Sequence, residues 1–297
     1  MKNITIGCDP EFVAIDAGIP ISALSLTTGR KENPILLRKG KLLADNVNIE
    51  INVEPSAKFE VFESNFKSVI LEAEQTVGHE LHAIASICYP DNILENPEAL
   101  AFGCNPDMNA FSLYLQFPPE VASLSTFRTT GGHIHLGMNS DEHDYLNDDM
   151  GKIRAIQMMD AVVGLPMVYV DTDPSAPDRR KLYGLAGSHR PTVYGVEYRA
   201  LSSFWTRSPL LTKLVFLLSQ AAVSIAKDKK LSQKILRSIG TDELQRAINV
   251  SNRGLCKELF DSNVAEYIED PETLDVFANV TRDLDKFTNS HIISAWG

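Results

Sequence analysis

The segment Gly131-Gly132-His133-Ile134-His135-Leu136-Gly137 constrains the fold more than any other part of this chain. Imidazole and aliphatic side chains alternate, and glycines bound them on both sides. In a β-strand, residues i and i+2 share a face. The alternation therefore predicts a strand with His133 and His135 side by side and Ile134 and Leu136 buried behind them. The glycines leave room for another backbone or a ligand to come close. Such a pair is unusual on an ordinary surface strand, so the segment is either part of a site or a structural accident. Its neighbours have to decide.

Three further segments repeat the design with other polar groups. In Cys8-Asp9-Pro10-Glu11-Phe12, Asp9 and Glu11 share a strand face, and paired carboxylates are good ligands for hard cations such as Mg²⁺. Alone, the pair reads more simply as a solvated strand edge. In Asp45-Asn46-Val47-Asn48-Ile49-Glu50-Ile51-Asn52, the side chains of Asn48, Glu50 and Asn52 face one way, and Val47, Ile49, Ile51 and Val53 the other. Any half-exposed strand looks like this, although the Lys and Thr usual on solvated faces are missing. In Gly195-Val196-Glu197-Tyr198-Arg199, Glu197 and Arg199 share a face. They form either a structural salt bridge or a metal ligand beside a phosphate clamp, since the planar guanidinium suits phosphate oxygens. Arg179-Arg180-Lys181 and Ser188-His189-Arg190 add a local basic run, which is a solvated loop if it is not part of the site. Four strands with charged groups on one face would make a charged concave surface. Buried charge is tolerated when paired or bound to metal, so such a face implies metal ions and an anionic ligand.

The formal net charge of −11 disfavours a nucleic-acid partner, because the chain repels phosphate backbones outside its basic run. A small anion such as ATP stays admissible, since metal ions and a few arginines neutralise it locally. Cys8, Cys88, Cys104 and Cys256 form no CxxC pair and no disulfide framework, which points to reduced thiols in a cytoplasm. The N-terminus lacks the apolar run of a signal peptide. Leu210 to Ala226 is the most apolar window, but Lys213 and Gln220 interrupt it, so it reads as a buried helix rather than a membrane span.

Residues 1–62 read as strands and turns, with strands over Ile4–Ile15 and Asn46–Val53. The spacing of Phe66, Val69, Ile70, Ala73, Val77, Leu81 and Ile84 predicts an amphipathic helix over Ser64–Ile87, capped by Ser64. A second helix is expected over Met150–Val163, a long loop over Asp171–Arg190 and a strand over Tyr194–Leu201. From Pro209 onward the pattern is helical, with breaks near Gly240, Gly254 and Pro271. No repeat or linker divides the chain. The expected fold class is α+β: one domain over residues 1–297, with helices on one face of a largely antiparallel sheet.

Taken together, the motifs resemble the glutamine synthetase / γ-glutamylcysteine synthetase superfamily of carboxylate–amine ligases. Within it they are most similar to the phage-type COOH–NH2 ligases, type 2, as in phages related to phiEco32. The resemblance runs over residues 4–206. It is carried by Asp9-Pro-Glu-Phe, by Asp45-Asn46 with Glu50 and Asn52, and by Gly103-Cys-Asn-Pro-Asp107. Arg128-Thr-Thr-Gly-Gly-His-Ile-His, Asp160-Ala-Val-Val-Gly-Leu-Pro, Tyr183-Gly-Leu-Ala-Gly-Ser-His-Arg190 and Gly195-Val-Glu-Tyr-Arg199 to Trp205 complete it. The helical part, 207–297, carries no motif of this kind.

What the resemblance implies is a curved antiparallel sheet forming a funnel, with helices outside. It implies Asp9, Glu11, Glu50, His133 and Glu197 as ligands of two or three Mg²⁺ or Mn²⁺ ions, with Glu50 and His135 toward the substrate. Arg199 is implied as a phosphate-contacting catalytic arginine, and Arg180 and Arg190 as further grips on the nucleotide phosphates. The implied reaction uses ATP to phosphorylate a carboxylate, and an amine then attacks the acyl phosphate. The partners would be ATP, a carboxylate substrate and an amine substrate: an amino acid, a peptide or a peptidoglycan fragment. Assembly into a homo-oligomer is left open. No Gly-x-x-x-x-Gly-Lys-Ser/Thr loop is present, so phosphate binding would not be of Walker type. Two rival readings stand beside this one. A metal-dependent amide hydrolase could use the His pair for Zn²⁺, and a ligase fold could persist as a non-catalytic binding or virion protein.

Overall fold

The computed structural model describes residues 4–100, 106–117, 126–138 and 145–297. Gly103, Cys104 and Asn105 of the motif above lie outside the described residues. The strands in chain order are β1 (Ile4–Asp16), β2 (Ile19–Ile21), β3 (Ile35–Leu37), β4 (Gly40–Asp45), β5 (Asn48–Ser56), β6 (Glu80–His82) and β7 (Ser86–Cys88). They continue with β8 (Asp107–Asn109), β9 (Leu115–Gln116), β10 (Phe127–Thr129), β11 (Gly132–Met138), β12 (Ser188–Thr192) and β13 (Gly195–Tyr198). The main sheet runs β3-β4-β5-β1-β11-β13-β12-β8-β9, with β2 and β6 paired to the far end of β1. Strands β7 and β10 form a separate ribbon. Every pairing described is antiparallel.

The alternation read from the sequence decides which face is which. Ile6, Cys8, Phe12, Ile49, Ile51, Ile134, Leu136, Val196 and Tyr198 are buried in one apolar cluster with the helices. The helices Phe59–Val77 and Pro209–Lys227 supply Phe62, Phe66, Phe216 and Leu218 to that cluster, and Trp296 joins it near the C-terminus. Pro209–Lys227 is long and apolar enough to cross a membrane by composition, but most of it is buried against the rest of the protein. The polar residues of the same strands point the other way, into a cleft. Beyond Glu11 that second face is closed by a small apolar cluster of Val13, Val47, Tyr89, Ile93 and Ala99. Val47 thus packs apart from Ile49 and Ile51. It sits in the two-residue turn between β4 and β5, where Asn46 takes a left-handed φ of 53°, a conformation its short polar side chain tolerates.

Several element boundaries differ from the sequence expectation. The helix expected over Ser64–Ile87 covers Phe59–Val77, and Ser64 is an exposed residue inside it. The apolar stripe starts a turn earlier, at Phe62, and Gly78 ends the helix at φ +74° with its N–H on the Glu74 carbonyl. Leu81 lies in β6 instead. The helix expected from Met150 starts at Asp149, capped by Asp148, and runs on past Val163 to Val170 through one π-helical turn, Asp160–Gly164. The expected loop over Asp171–Arg190 contains the short helix Ala176–Arg179 and most of β12. Of the C-terminal breaks, Gly240 and Pro271 hold. Near Gly254 the break falls at Asn252, which caps the next helix.

Candidate active site

Strand register assembles the cleft. Asp9 on β1 pairs with His133 on β11, and His135 pairs with Glu197 on β13. Glu197 in turn pairs with Arg190 on β12, while Glu11 pairs with Glu50 on β5. Residues directly opposite on neighbouring strands share a face, so these side chains meet across four strand boundaries.

Two groups result. In the first, Asp9, His135 and Glu197 offer ligand atoms within 4.8 Å of one another. His135 Nε2 lies 3.0 Å from Asp9 Oδ1, and His133 Nδ1 lies 3.3 Å from the same oxygen and 3.5 Å from Glu197 Oε1. Neither imidazole makes a well-aligned hydrogen bond to Asp9 Oδ1, which is buried. Arg199 pairs through Nη1 with Glu197 and through Nε with Asp107 Oδ1 at 2.8 Å. Arg190 stands 3.7 Å from Glu197 and 3.8 Å from Asp107. His135 Nδ1 bonds the Tyr194 hydroxyl. Burial opposes the charge on Asp9, yet His135 and His133 hold its carboxyl well below the usual range. Burial likewise opposes a charged His135, but Asp9 outweighs it and raises the imidazole.

The second group is Glu11, Asp45 and Glu50, again with ligand oxygens within 4.8 Å. Glu11 Oε2 accepts the Gly131 N–H at 2.9 Å, and the Glu11 N–H donates to the Gly131 carbonyl at 2.8 Å. Glu50 Oε1 accepts from Asn52 Nδ2 at 2.9 Å. Among the described residues no Lys, Arg or His forms an ion pair with any of the three. Burial, with Asp9, Asp45 and Glu11 close by, pushes Glu50 well above the ordinary carboxyl range. Burial and then Asp45 raise Glu11 as well. Three crowded oxygens in want of positive charge, beside a buried Asp9 oxygen without an aligned donor, fit a hard divalent cation.

The glycines act through close approach. A Cβ on Gly131 would strike the His133 ring, and one on Gly132 would strike the Ser202 carbonyl and Trp205 Nε1. Trp205 Nε1 donates to the Gly132 carbonyl at 3.0 Å, which fixes the start of the His-bearing strand.

Both groups line one cleft of about 1060 Å³, whose rim includes Lys31, Leu36, Lys41 and Tyr194. A smaller pocket of about 50 Å³ opens past Glu11 and Asp45, among Asn48, Asp107, Arg128, Gly131, Arg179 and Tyr183. Of the residues singled out from sequence, the structure brings Asp9, Glu11, Glu50, His133, His135, Arg190, Glu197 and Arg199 to these walls. His135, rather than His133, completes the three-residue group with Asp9 and Glu197. Arg180 does not reach the cleft. Its guanidinium is buried on the helical side, 3.4 Å from Ser251 Oγ and in the field of Asp171 and Asp160. Consecutive helical residues diverge by about 100°, so at the end of one short helix Arg179 takes the pocket and Arg180 the core. Sequence reasoning gave no role to Asp45, Asp107, Arg128, Arg179 or Tyr194. Asp45, Asp107 and Arg128 stood within the family motifs, and the signal for the two acids was position at a strand end.

Comparison with known proteins adds a family. Residues 121–294 match the model described as "Phage phiEco32-like COOH.NH2 ligase-type 2". The match runs through the C-terminal helices, where no motif was placed, and excludes the segment bearing Asp9, Glu11 and Glu50. A bifunctional glutathione synthetase from Pasteurella multocida superposes with a TM-score of 0.47 at 10% identity, covering 99% of this chain and 48% of that one. This chain therefore spans about half the length of that solved structure. A search of curated proteins gives no match.

Proposed function

Since the chain belongs to the phage phiEco32-like COOH–NH2 ligase family, type 2, we propose that it joins a carboxylate to an amine with ATP, through an acyl phosphate. The observation that carries this reading is the pairing of two acid groups on one sheet face with Arg190 and Arg199 beside them. We read the sheet as the wall of a glutamine-synthetase-like funnel and residues 1–297 as one ligase domain. Glu11, Glu50 and Asp45 would hold one divalent cation, Mg²⁺ or Mn²⁺, and Asp9, Glu197 and the histidines another. Bound there, such ions offset the repulsion between the γ-phosphate and the carboxylate and stabilise charge on the transferred group.

The chain's own residues do the rest. A substrate carboxylate oxygen attacks the γ-phosphorus, and the bond to the bridging oxygen of ADP breaks. Arg199 and Arg190 face the phosphoryl oxygens and balance their charge. Asp107 and Glu197 aim the Arg199 fork, so little reorganisation is needed when the anion arrives. The amine nitrogen then attacks the acyl carbon, phosphate leaves, and a cleft carboxylate takes the amine proton. Tyr194, bonded to Nδ1, fixes the His135 ring and leaves its Nε2 to the cation it would share with Asp9 and Glu197. The wide cleft exceeds the usual size of a small-ligand site and has room for a nucleotide. The smaller pocket beyond Glu11, with Arg128, Arg179 and Arg199 in its wall, suits the small end of a carboxylate substrate.

The test is an ATP-driven screen of amino acids, short peptides and peptidoglycan fragments, with hydroxylamine as a surrogate amine. ADP, phosphate and a hydroxamate in equal amounts are expected, dependent on Mg²⁺ or Mn²⁺. AMP and pyrophosphate, or amide cleavage without nucleotide, would overturn the reading.

A further inference from the structure

The motif that begins at Asp160 has no place in the chemistry above, yet it occupies the single π-helical turn among the described residues, Asp160–Gly164. Such turns are rare within α-helices and are frequent at functional sites. The Asp160 side chain is fully buried on the helical side of the sheet. Its Oδ1 accepts the Tyr198 hydroxyl at 2.8 Å, and its Oδ2 accepts the Gly187 backbone N–H at 2.6 Å. No ion pair balances it among the described residues, and burial pushes its carboxyl up to about 7. An apolar side chain in that core would avoid the desolvation penalty altogether. A carboxyl group there serves its two buried donors, the Tyr198 hydroxyl and the Gly187 N–H.

Tyr198 ends β13 between Glu197 and Arg199, and alternation along the extended chain sends its ring to the helices while their side chains enter the cleft. Gly187 immediately precedes β12, the strand that carries Arg190. Ser188, the next residue, accepts the Arg199 N–H through its carbonyl at 3.0 Å. One carboxyl group thus grips both strands that present the arginines. The space for the grip is built in: a Cβ on Gly164, at the other end of the π turn, would stand 2.8 Å from the Tyr198 hydroxyl.

The geometry points to Asp160 and Tyr198 as positioning residues for the ligase site, acting from behind the sheet to set the aim of Glu197, Arg199 and Arg190. Neither touches substrate. Part of this inference rests on the metal-dependent reading above, so its test has one arm that does not need metal. Tyr198→Phe removes a single hydroxyl at constant volume. In that variant the Arg199 Nε–H, assigned by its loss in Arg199→Lys, should exchange with solvent at least about tenfold faster by NMR in metal-free buffer. Mn²⁺ affinity, measured by calorimetry without nucleotide, should fall about tenfold. Ser219→Ala, which deletes a buried hydroxyl bonded only within its own helix, serves as the control. It should lower the melting temperature without moving either readout.

If Tyr198→Phe only melts earlier, with exchange and Mn²⁺ affinity as in the native chain, the inference is overturned and the bond is merely structural. If the native protein takes no Mn²⁺ while Arg199 exchange still responds to Tyr198→Phe, the metal reading falls and the positioning role stands. Where Tyr198→Phe fails to fold, Gly164→Ala, which crowds the same hydroxyl, takes its place with the same expected and overturning results.

Discussion

Asp9 and Glu50 are both carboxylates on the cleft face, on the adjacent strands β1 and β5, yet their surroundings answer burial in opposite ways. Around Asp9 stand His135, His133 and, through Glu197, Arg199, so its charge is held although burial opposes it. Around Glu50 stand Asp9, Asp45 and Glu11, and burial together with these neighbours drives its proton affinity up. The difference teaches which half of the site is ready without ligand. The Asp9 half is cross-braced and pre-organised. The Glu11–Asp45–Glu50 half stores repulsion that a cation bound there would relieve, so in the proposed function the gain from ligand binding enters there. Natural proteins break the rules of a stable core mainly at such sites, and the second half breaks them more than the first.

The largest effect should come from exchanging one acid in each half for its amide. Glu11→Gln removes a proposed ligand charge at nearly constant shape. Amide formation should fall about 10³-fold, the loss of roughly 4 kcal/mol of charge stabilisation. In EDTA, however, the variant should melt at or above the temperature of the native chain, because the crowding with Asp45 and Glu50 is eased. Asp9→Asn should lose activity and also melt earlier, because two imidazoles lose their carboxylate. Calorimetric melting of both variants in EDTA checks the contrast. If both melt early by the same margin, the two halves do not differ in the way described.

That contrast was only half legible in the sequence. The i, i+2 pairs Asp9/Glu11, His133/His135 and Glu197/Arg199 were readable because strand periodicity is local, and all six side chains face the cleft. The family resemblance told which strands belong together; register, which no periodicity encodes, then decided that Glu50 meets Glu11 while His135 meets Glu197. Asp107 escaped a role because its partners Arg190 and Arg199 lie far off in sequence, and Asp45 because its group closes only when β1 brings Glu11 alongside Glu50. Arg180 was misplaced for a related reason: a basic run shows charge but not direction, and Arg179, next to it, turns to the pocket. The helix over Phe59–Val77 was right in kind and shifted in extent, since the Ser64 cap signal was weaker than the apolar stripe that begins at Phe62.

A smaller effect sharpens the comparison within the braced half. Arg199→Lys keeps one positive charge but loses the fork that spans Glu197 and Asp107. A drop of about 10²-fold in kcat/KM is expected, with a minor change in melting temperature. Steady-state kinetics of hydroxamate formation beside a thermal melt separates the two roles. Unchanged turnover with a large loss of stability would make Arg199 a structural partner of Glu197 and leave the phosphoryl group without its proposed clamp.

The smallest effect concerns a carboxyl buried outside the cleft, where Arg180 acts on it only at a distance and, among the described residues, no ion pair answers it. Asp160 sits at about 7 against an ordinary 3.8, raised first by burial. The folded state therefore keeps a proton that the unfolded chain has released over the pH range between those values. Stability must then fall as pH rises through that window, at about 1.4 kcal/mol per pH unit for one proton. The groups facing Asp160 do not blur this slope: burial pushes Tyr198 well above its ordinary value, so it stays protonated, and Arg180, though lowered by burial, remains an arginine that titrates far above the window. Asp160→Asn cannot release a proton. Between about pH 5 and about pH 6 in EDTA, the native chain should lose roughly 1.4 kcal/mol more than the variant, read from urea unfolding at each pH. Parallel losses would mean that Asp160 ionises on folding as it does in water. The helical side would then tolerate a bare buried carboxylate, and the raised proton affinity of Glu50 would no longer mark the cleft's second half as a place that needs a cation.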